Sequence, residues 1–245
     1  MNELDNENRI MEIFREVPTE KVCILFNDEE SKSIYESLAF NRENWIDNSA
    51  KSSPPPDYLN PTENIMLEVM RVNDTDSDMN RGESRLQQEL SNSGILELFP
   101  NVQNITCVPD VHSQSYEKYC RSFVKTVENH STKIDKYRTN HPEIDRVVFM
   151  ICDESEAYYE VQEQTPKGSK ARVHIWFSDI SFMRVLKKSG VETIIWFTPY
   201  KALERDGINF PEVVVINPRL IDDSKLECFN RDQMVDATRI QRVFI

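Results

Sequence analysis

Short apolar runs recur along the chain, and several of the stretches between them carry their apolar residues at helical spacing. Ile10, Met11, Ile13, Phe14 and Val17 predict a short amphipathic helix over 5–17. KVCILFN (21–27) predicts a buried strand. Asn27 or Asp28 then offers an N-cap to a helix with an acidic first turn, Ile34, Leu38 and Phe40 around one side, and an end before Trp45. The polar segment 46–57, with three successive prolines, predicts an extended connection. NIMLEVMRV (64–72) is apolar apart from Glu68 and Arg71 and predicts a central strand. A carboxylate inside such a run needs a reason.

The stretch 73–94 is the most polar of the chain and predicts a long loop with a helix near 83–91. Its Asp74, Asp76, Asp78 alternation fails as a calcium loop, because Met79 stands where Gly is required and Arg85 where a Glu ligand is required. NITCVPDV (104–111) predicts a strand. A long helix follows over 115–138, with Tyr119, Phe123, Val127 and Ile134 along one stripe and a basic opposite face. RVVFMICDES (146–155) predicts a buried strand ending in Asp153 and Glu154. Beyond it come a short strand from Tyr158 to Val161, a basic turn over 165–172, a strand VHIWF (173–177), a helix over 179–190, and strands over 192–199 and 213–218. Apolar strands alternating with helices give an α/β class, a mixed central sheet flanked by helices, in a single domain over 1–245.

Composition narrows the function classes. The 245 residues hold 29 Lys+Arg against 42 Asp+Glu, a net charge of −13. Phosphate backbones are bound by Lys and Arg, so nucleic-acid binding by this chain requires its basic residues to cluster, or a bound metal to supply positive charge. The opening MNELDNENRI has neither a basic n-region nor an apolar h-region, and no stretch is long and apolar enough for a membrane span. A cytoplasmic location without membrane partners is the expectation. The five cysteines form no C-x-x-C pair and read as reduced core residues, and the four histidines show no zincin spacing. Neither G-x-G-x-x-G, a Walker-type phosphate loop nor G-x-S-x-G is present, which removes dinucleotide-binding, P-loop and α/β-hydrolase readings.

One constellation remains: PPPDYLNPTENIMLEVMRV, in which Asp57 follows a proline and Glu68, eleven positions on, lies within the apolar run. It resembles the signature of the PD-(D/E)XK nuclease superfamily, whose core is a helix, a three-stranded meander, a second helix and a further strand. The resemblance covers roughly 28–155 and implies a restriction-endonuclease-like core with a C-terminal α/β extension over 156–245. It also implies Mg²⁺ or Mn²⁺ held by Asp57, Glu68 and the carbonyl of Val69, with nucleic acid, DNA or RNA, as substrate. Two carboxylates converging from adjacent strands suit a hard divalent ion and leave positions for water and phosphate. The departure is Met70, which stands where the family has its lysine and can neither orient water nor stabilise a phosphorane. Lys118 or Lys125 on the following helix, or Arg71, are candidates for that role, Lys118 first because Arg71 alternates away from Glu68. Glu36 on the preceding helix is a candidate extra metal ligand.

Asp153 and Glu154 form a second acidic pair at a strand end, where open α/β sheets place ligands, and turn capping is the plainer role for them. Arg71, Lys125, Lys167, Lys170 and Arg172, with Tyr158 and Tyr159, offer contacts to phosphates and bases, whereas Trp176, Trp196 and Phe197 read as core. The alternative function is a non-catalytic α/β binding protein in which Met70 marks a lost site and the acidic surface meets a protein partner or a second copy. An acidic mimic of nucleic acid is a third class compatible with the charge.

Overall fold

A computed structural model describes residues 7–49, 56–72, 116–155, 158–166, 168–201, 204–205 and 208–237. Its elements in chain order are α1 (Glu7–Arg15), β1 (Val22–Ile24), α2 (Glu29–Phe40), β2 (Ile46–Asp47), β3 (Tyr58–Asn60), β4 (Ile65–Val72), α3 (Tyr116–Ser131), α4 (Ile134–Asn140), β5 (Arg146–Asp153), β6 (Tyr159–Thr165), β7 (Gly168–Val173), α5 (Ile180–Lys188), β8 (Thr193–Phe197), β9 (Glu204–Arg205), β10 (Ile208–Asn209), β11 (Val213–Ile216) and β12 (Met234–Asp236). The expected polar loop and helix over 73–94, with Asp74, Asp76 and Asp78, and the expected strand over 104–111 lie outside the described residues.

The architecture is a mixed α/β fold. Seven strands run in the order β1-β11-β8-β5-β4-β3-β2. The central strands β4, β5 and β8 are mutually parallel, and β2, β3 and β4 form an antiparallel meander. Strand alternation splits the core into two layers. Met66, Met70, Phe149, Ile151, Ile194 and Trp196 face α3, α4 and α5, where they meet Phe123, Val127, Phe182 and Leu186. Ile65, Leu67, Val69, Val148, Met150 and Ile195 face α1 and α2, where they meet Ile10, Phe14, Ile34 and Leu38. A second, three-stranded sheet, β12-β6-β7, is antiparallel throughout. Among the described residues no helix is long and apolar enough to cross a membrane.

Several expectations hold closely. Asp28 caps α2 by accepting from the Ser31 N–H at 3.0 Å, and the helix expected over 179–190 is α5. Trp176, Trp196 and Phe197 are buried. Others need correction. The strand expected over 21–27 stops at Ile24, because Phe26 and Asn27 take positive φ values of 64° and 50° that no strand contains. Residues 46–57 are not wholly irregular, since Ile46–Asp47 pairs with β3 as the sheet edge. The basic turn expected over 165–172 is largely strand: β7 begins at Gly168, pairs with β6 through Thr165↔Gly168, and ends at Val173, so VHIWF is no strand. Lys170 opposite Glu163 explains the misreading, because a charged hairpin lacks the apolar alternation that marks a strand. Phe40 is exposed rather than packed with Ile34 and Leu38, and Cys228 is exposed rather than core.

The helix expected over 115–138 breaks at Thr132–Lys133. Ser131 Oγ donates to the Val127 carbonyl and Thr132 Oγ1 to the Asn129 carbonyl, both at 2.7 Å, and the Lys133 N–H turns to the His130 carbonyl at 3.0 Å. Such back-bonding competes with the helical ladder and bends helices. The break sets the geometry of the site below.

Candidate metal centre

The register of the meander brings the two motif carboxylates together. Tyr58 pairs with Leu67, so Asp57 stands opposite Glu68 across the same ladder. Leu59 belongs to the layer facing α3 and α4, and by alternation so do Asp57 and Glu68. Pro56 stands opposite Val69. The Val69 N–H, which a backbone carbonyl would otherwise receive, donates instead to Asp57 Oδ2 at 2.7 Å. The Val69 carbonyl lies on the same side of its strand and faces Pro56, which has no N–H to offer it. The proline before Asp57 therefore both ends the ladder and leaves an acceptor beside the carboxylates.

Glu68 is 3% exposed and is met by three donors from the α3–α4 break. Lys133 Nζ lies 2.7 Å and His130 Nδ1 2.8 Å from Oε1, and the Tyr137 hydroxyl donates to Oε2 at 2.9 Å. Burial pushes the Glu68 carboxyl up, but the hydrogen bonds from His130 and Lys133 outweigh it and hold the pKa below the ordinary value. Glu68 is thus ionised at neutral pH. Asp57 behaves oppositely. Burial first, then the like charges of Glu68 and Glu7, push its pKa up to about 7, against the pull of the Val69 N–H and Lys133. Two carboxylates held this close, one of them resisting ionisation, form a site that a cation would relieve.

Lys133 is the residue that sequence reasoning missed. His130, Lys133 and Tyr137 follow one another at i, i+3 and i+7, and His130 occupies the position that continues the Tyr119, Phe123, Val127 stripe. A histidine on an otherwise apolar stripe was the available signal. Lys118, expected in the lysine role, is exposed in the first turn of α3, about 18 Å along the helix axis from His130 at 1.5 Å per residue. Lys125 is also exposed and above the last turn. Arg71 lies on the other face, where its guanidinium meets Glu154 Oε1 at 2.5 Å. Glu36 is exposed on α2, which packs against the opposite layer. None of these four joins Asp57 and Glu68.

The second acidic pair diverges. Glu154 holds Arg71, whereas Asp153 turns into the α3 layer, where Oδ2 receives Lys201 Nζ at 2.9 Å, Trp196 Nε1 at 3.2 Å and the Tyr119 hydroxyl at 2.5 Å. Its Oδ1 caps the turn through the Ser155 N–H. Arg172 is neutralised by Glu163 and Glu227, and Lys170 sits opposite Glu163. Lys167 lies outside the described residues. The β6–β7 hairpin meets the first turn of α3 through Tyr116 and Tyr159, at the far end from Glu68. These basic residues do not border the carboxylate pair.

The donor set fits a divalent ion of the Mg²⁺ type. Asp57 keeps Oδ1, Glu68 keeps a lone pair on Oε2 beyond the one Tyr137 uses, and Val69 offers its carbonyl. Among the described residues no group of three His, Cys, Asp or Glu side chains is placed to hold a metal. Mg²⁺ is ordinarily held by one or two carboxylates with water and phosphate completing the shell. Comparisons with protein-family models, curated proteins and solved structures return no match. The site's chemistry therefore rests on its own geometry.

Tyr137→Phe protein is expected to lose about 1.5–3 kcal/mol of stability, because one charge-assisted hydrogen bond to a buried carboxylate goes while the ring stays. Urea unfolding of the two proteins measures it.

Proposed function

We propose that the chain is a Mg²⁺- or Mn²⁺-dependent hydrolase of phosphodiester bonds in nucleic acid, of the PD-(D/E)XK kind, with Lys133 in the role that Met70 cannot fill. The observation that carries the reading is the cross-strand placement of Asp57 against Glu68 with the Lys133 ammonium 2.7 Å from Glu68. The order among the described residues, α2, then the β2-β3-β4 meander, then α3 and α4, then β5, supports it, being compatible with the helix, meander, helix and strand of that family.

In this reading Asp57, Glu68 and the Val69 carbonyl hold the ion. When bound, the ion would polarise the phosphate and lower the pKa of the attacking water. Tyr137 and His130 fix the orientation of Glu68. Lys133, whose side chain is 42% exposed, reaches from Glu68 toward solvent and supplies a positive charge where negative charge develops on the phosphate. Met70 packs in the α3 layer and does no chemistry.

The test is cleavage of labelled single- and double-stranded DNA and RNA with Mg²⁺, Mn²⁺ or EDTA. Lys133→Met protein is expected to cleave about 10²–10³-fold more slowly while still binding Mn²⁺. A second reading, a non-catalytic binding protein, draws on the three donors that already satisfy Glu68. Metal binding without cleavage of any of these substrates favours it.

A further inference from the structure

A groove of about 500 Å³ between α3 and α5 continues into a neighbouring one of about 380 Å³, the two sharing Val124, Glu128 and Ser181. Its charged lining is Arg121, Lys125, Arg184, Lys188 and Arg231 against the single carboxylate of Glu128. In a chain of net charge −13 this is a concentration of the opposite sign. Arg121 and Arg231 share Glu117, and Arg184 meets Asp223, but among the described residues Lys125 and Lys188 have no ion-pair partner. The groove ends at Ser131 and Thr132, the residues between His130 and Lys133 of the carboxylate site.

Two features narrow the occupant. Packed helices lie about 8–10 Å apart, so the trough between them admits one polyanionic backbone and excludes a duplex. The hydroxyl protons of Ser131 and Thr132 are committed to the Val127 and Asn129 carbonyls. Those oxygens are left as acceptors, which repel phosphate and pair with a donor. The ribose 2′-OH is such a donor on an RNA strand, and DNA lacks it.

We infer that the α3–α5 groove holds single-stranded RNA, with Lys125 and Lys188 on its phosphates and Ser131 and Thr132 accepting from its 2′-hydroxyls, on the way to the Asp57–Glu68 centre. The inference rests on the nuclease-like reading for what happens at the end of the groove, and on the groove's own charge for binding.

The test is fluorescence anisotropy of the full chain, in EDTA so that no cleavage occurs, with short labelled single-stranded RNA, single-stranded DNA of the same sequence and duplex RNA. The wild type is expected to bind single-stranded RNA more tightly than either competitor. Lys125→Gln/Lys188→Gln protein should bind it about tenfold or more weakly, with a slope of log affinity against log salt shallower by about 1.4. Equal binding of RNA and DNA single strands overturns the RNA assignment, tighter duplex binding overturns the strand assignment, and unchanged affinity in the double variant overturns the groove. Binding lost in the double variant, from a wild type that cleaves nothing when metal is added, keeps the groove and removes the nuclease reading. Metal-dependent cleavage undiminished in the double variant removes the groove and keeps the centre.

Discussion

Asp57→Asn protein is expected to lose metal-dependent cleavage by about 10³-fold or more and, without metal at pH 8, to melt roughly 8–16 °C higher than the wild type. The first effect follows from removing one of two carboxylates that hold the ion. The second follows from the same carboxylate in its metal-free state. Its pKa is raised from 3.8 to about 7, chiefly by burial and then by Glu68 and Glu7. A carboxyl with a raised folded pKa contributes stability in full below pH 3.8, and that stability is lost as pH rises through about 7. Above that pH the ionised form costs the fold about 4 kcal/mol, at 1.36 kcal/mol per pH unit of displacement. Asparagine keeps the shape and the acceptor for the Val69 N–H and carries no charge. In a domain of this size each kcal/mol moves the midpoint by about 2–4 °C. The gain should shrink as pH falls below 7 and vanish only below about pH 3.8, where the unfolded carboxyl is protonated as well, and excess Mn²⁺ at pH 8 should raise the midpoint of the wild type alone. A variant that melts no higher than the wild type at pH 8 contradicts the strained-pair account.

Loss of either partner of the Asp153–Lys201 pair is expected to cost about 3–5 kcal/mol, the largest loss of stability of any single substitution considered. Both side chains are buried, 0% and 4% exposed, so the survivor keeps an uncompensated charge in the core. In Asp153→Asn protein the Lys201 ammonium would retain only the faces of the Trp176 and Tyr119 rings, at 4.6 and 5.3 Å. In Lys201→Met protein Asp153 would keep three neutral donors, the Trp196 and Tyr119 side chains and the Ser155 N–H, and no cation. The pair ties together the end of β5, α3 and the turn after β8. The double variant Asp153→Leu/Lys201→Met should be less destabilised than the two single costs sum to, because the apolar pair leaves no charge behind. Denaturant unfolding of the four proteins closes the cycle, and additive costs would contradict the pairing.

What the chain reveals before folding divides along a physical line. The apolar runs of β4, β5, β8 and β11 declare themselves because strands buried on both faces need no alternation, and Asp28 declares the start of its helix by capping chemistry. The Asp57–Glu68 pair is legible because one short loop joins β3 to β4, so eleven positions in sequence become one step across a ladder. Lys133 is not legible in the same way. Its reach depends on where a long helix breaks, and that depends on Ser131 and Thr132 turning their hydroxyls onto the preceding turn. Lys201 is 48 residues from Asp153, and only the packing of β8 beside β5 brings them together. The charged β6–β7 hairpin hides its pairing behind Glu163, Lys170 and Arg172, which neutralise one another across strands rather than form a binding face.

The most direct measurement is calorimetric titration of Mn²⁺ into the wild type, Asp57→Asn and Glu68→Gln proteins at pH 8, repeated on the wild type at pH 6. One Mn²⁺ per wild-type chain, bound more weakly at pH 6 because Asp57 is then protonated, and no binding in either variant is the predicted result. Binding that survives both substitutions, or no binding by the wild type at either pH, contradicts a metal centre on Asp57 and Glu68.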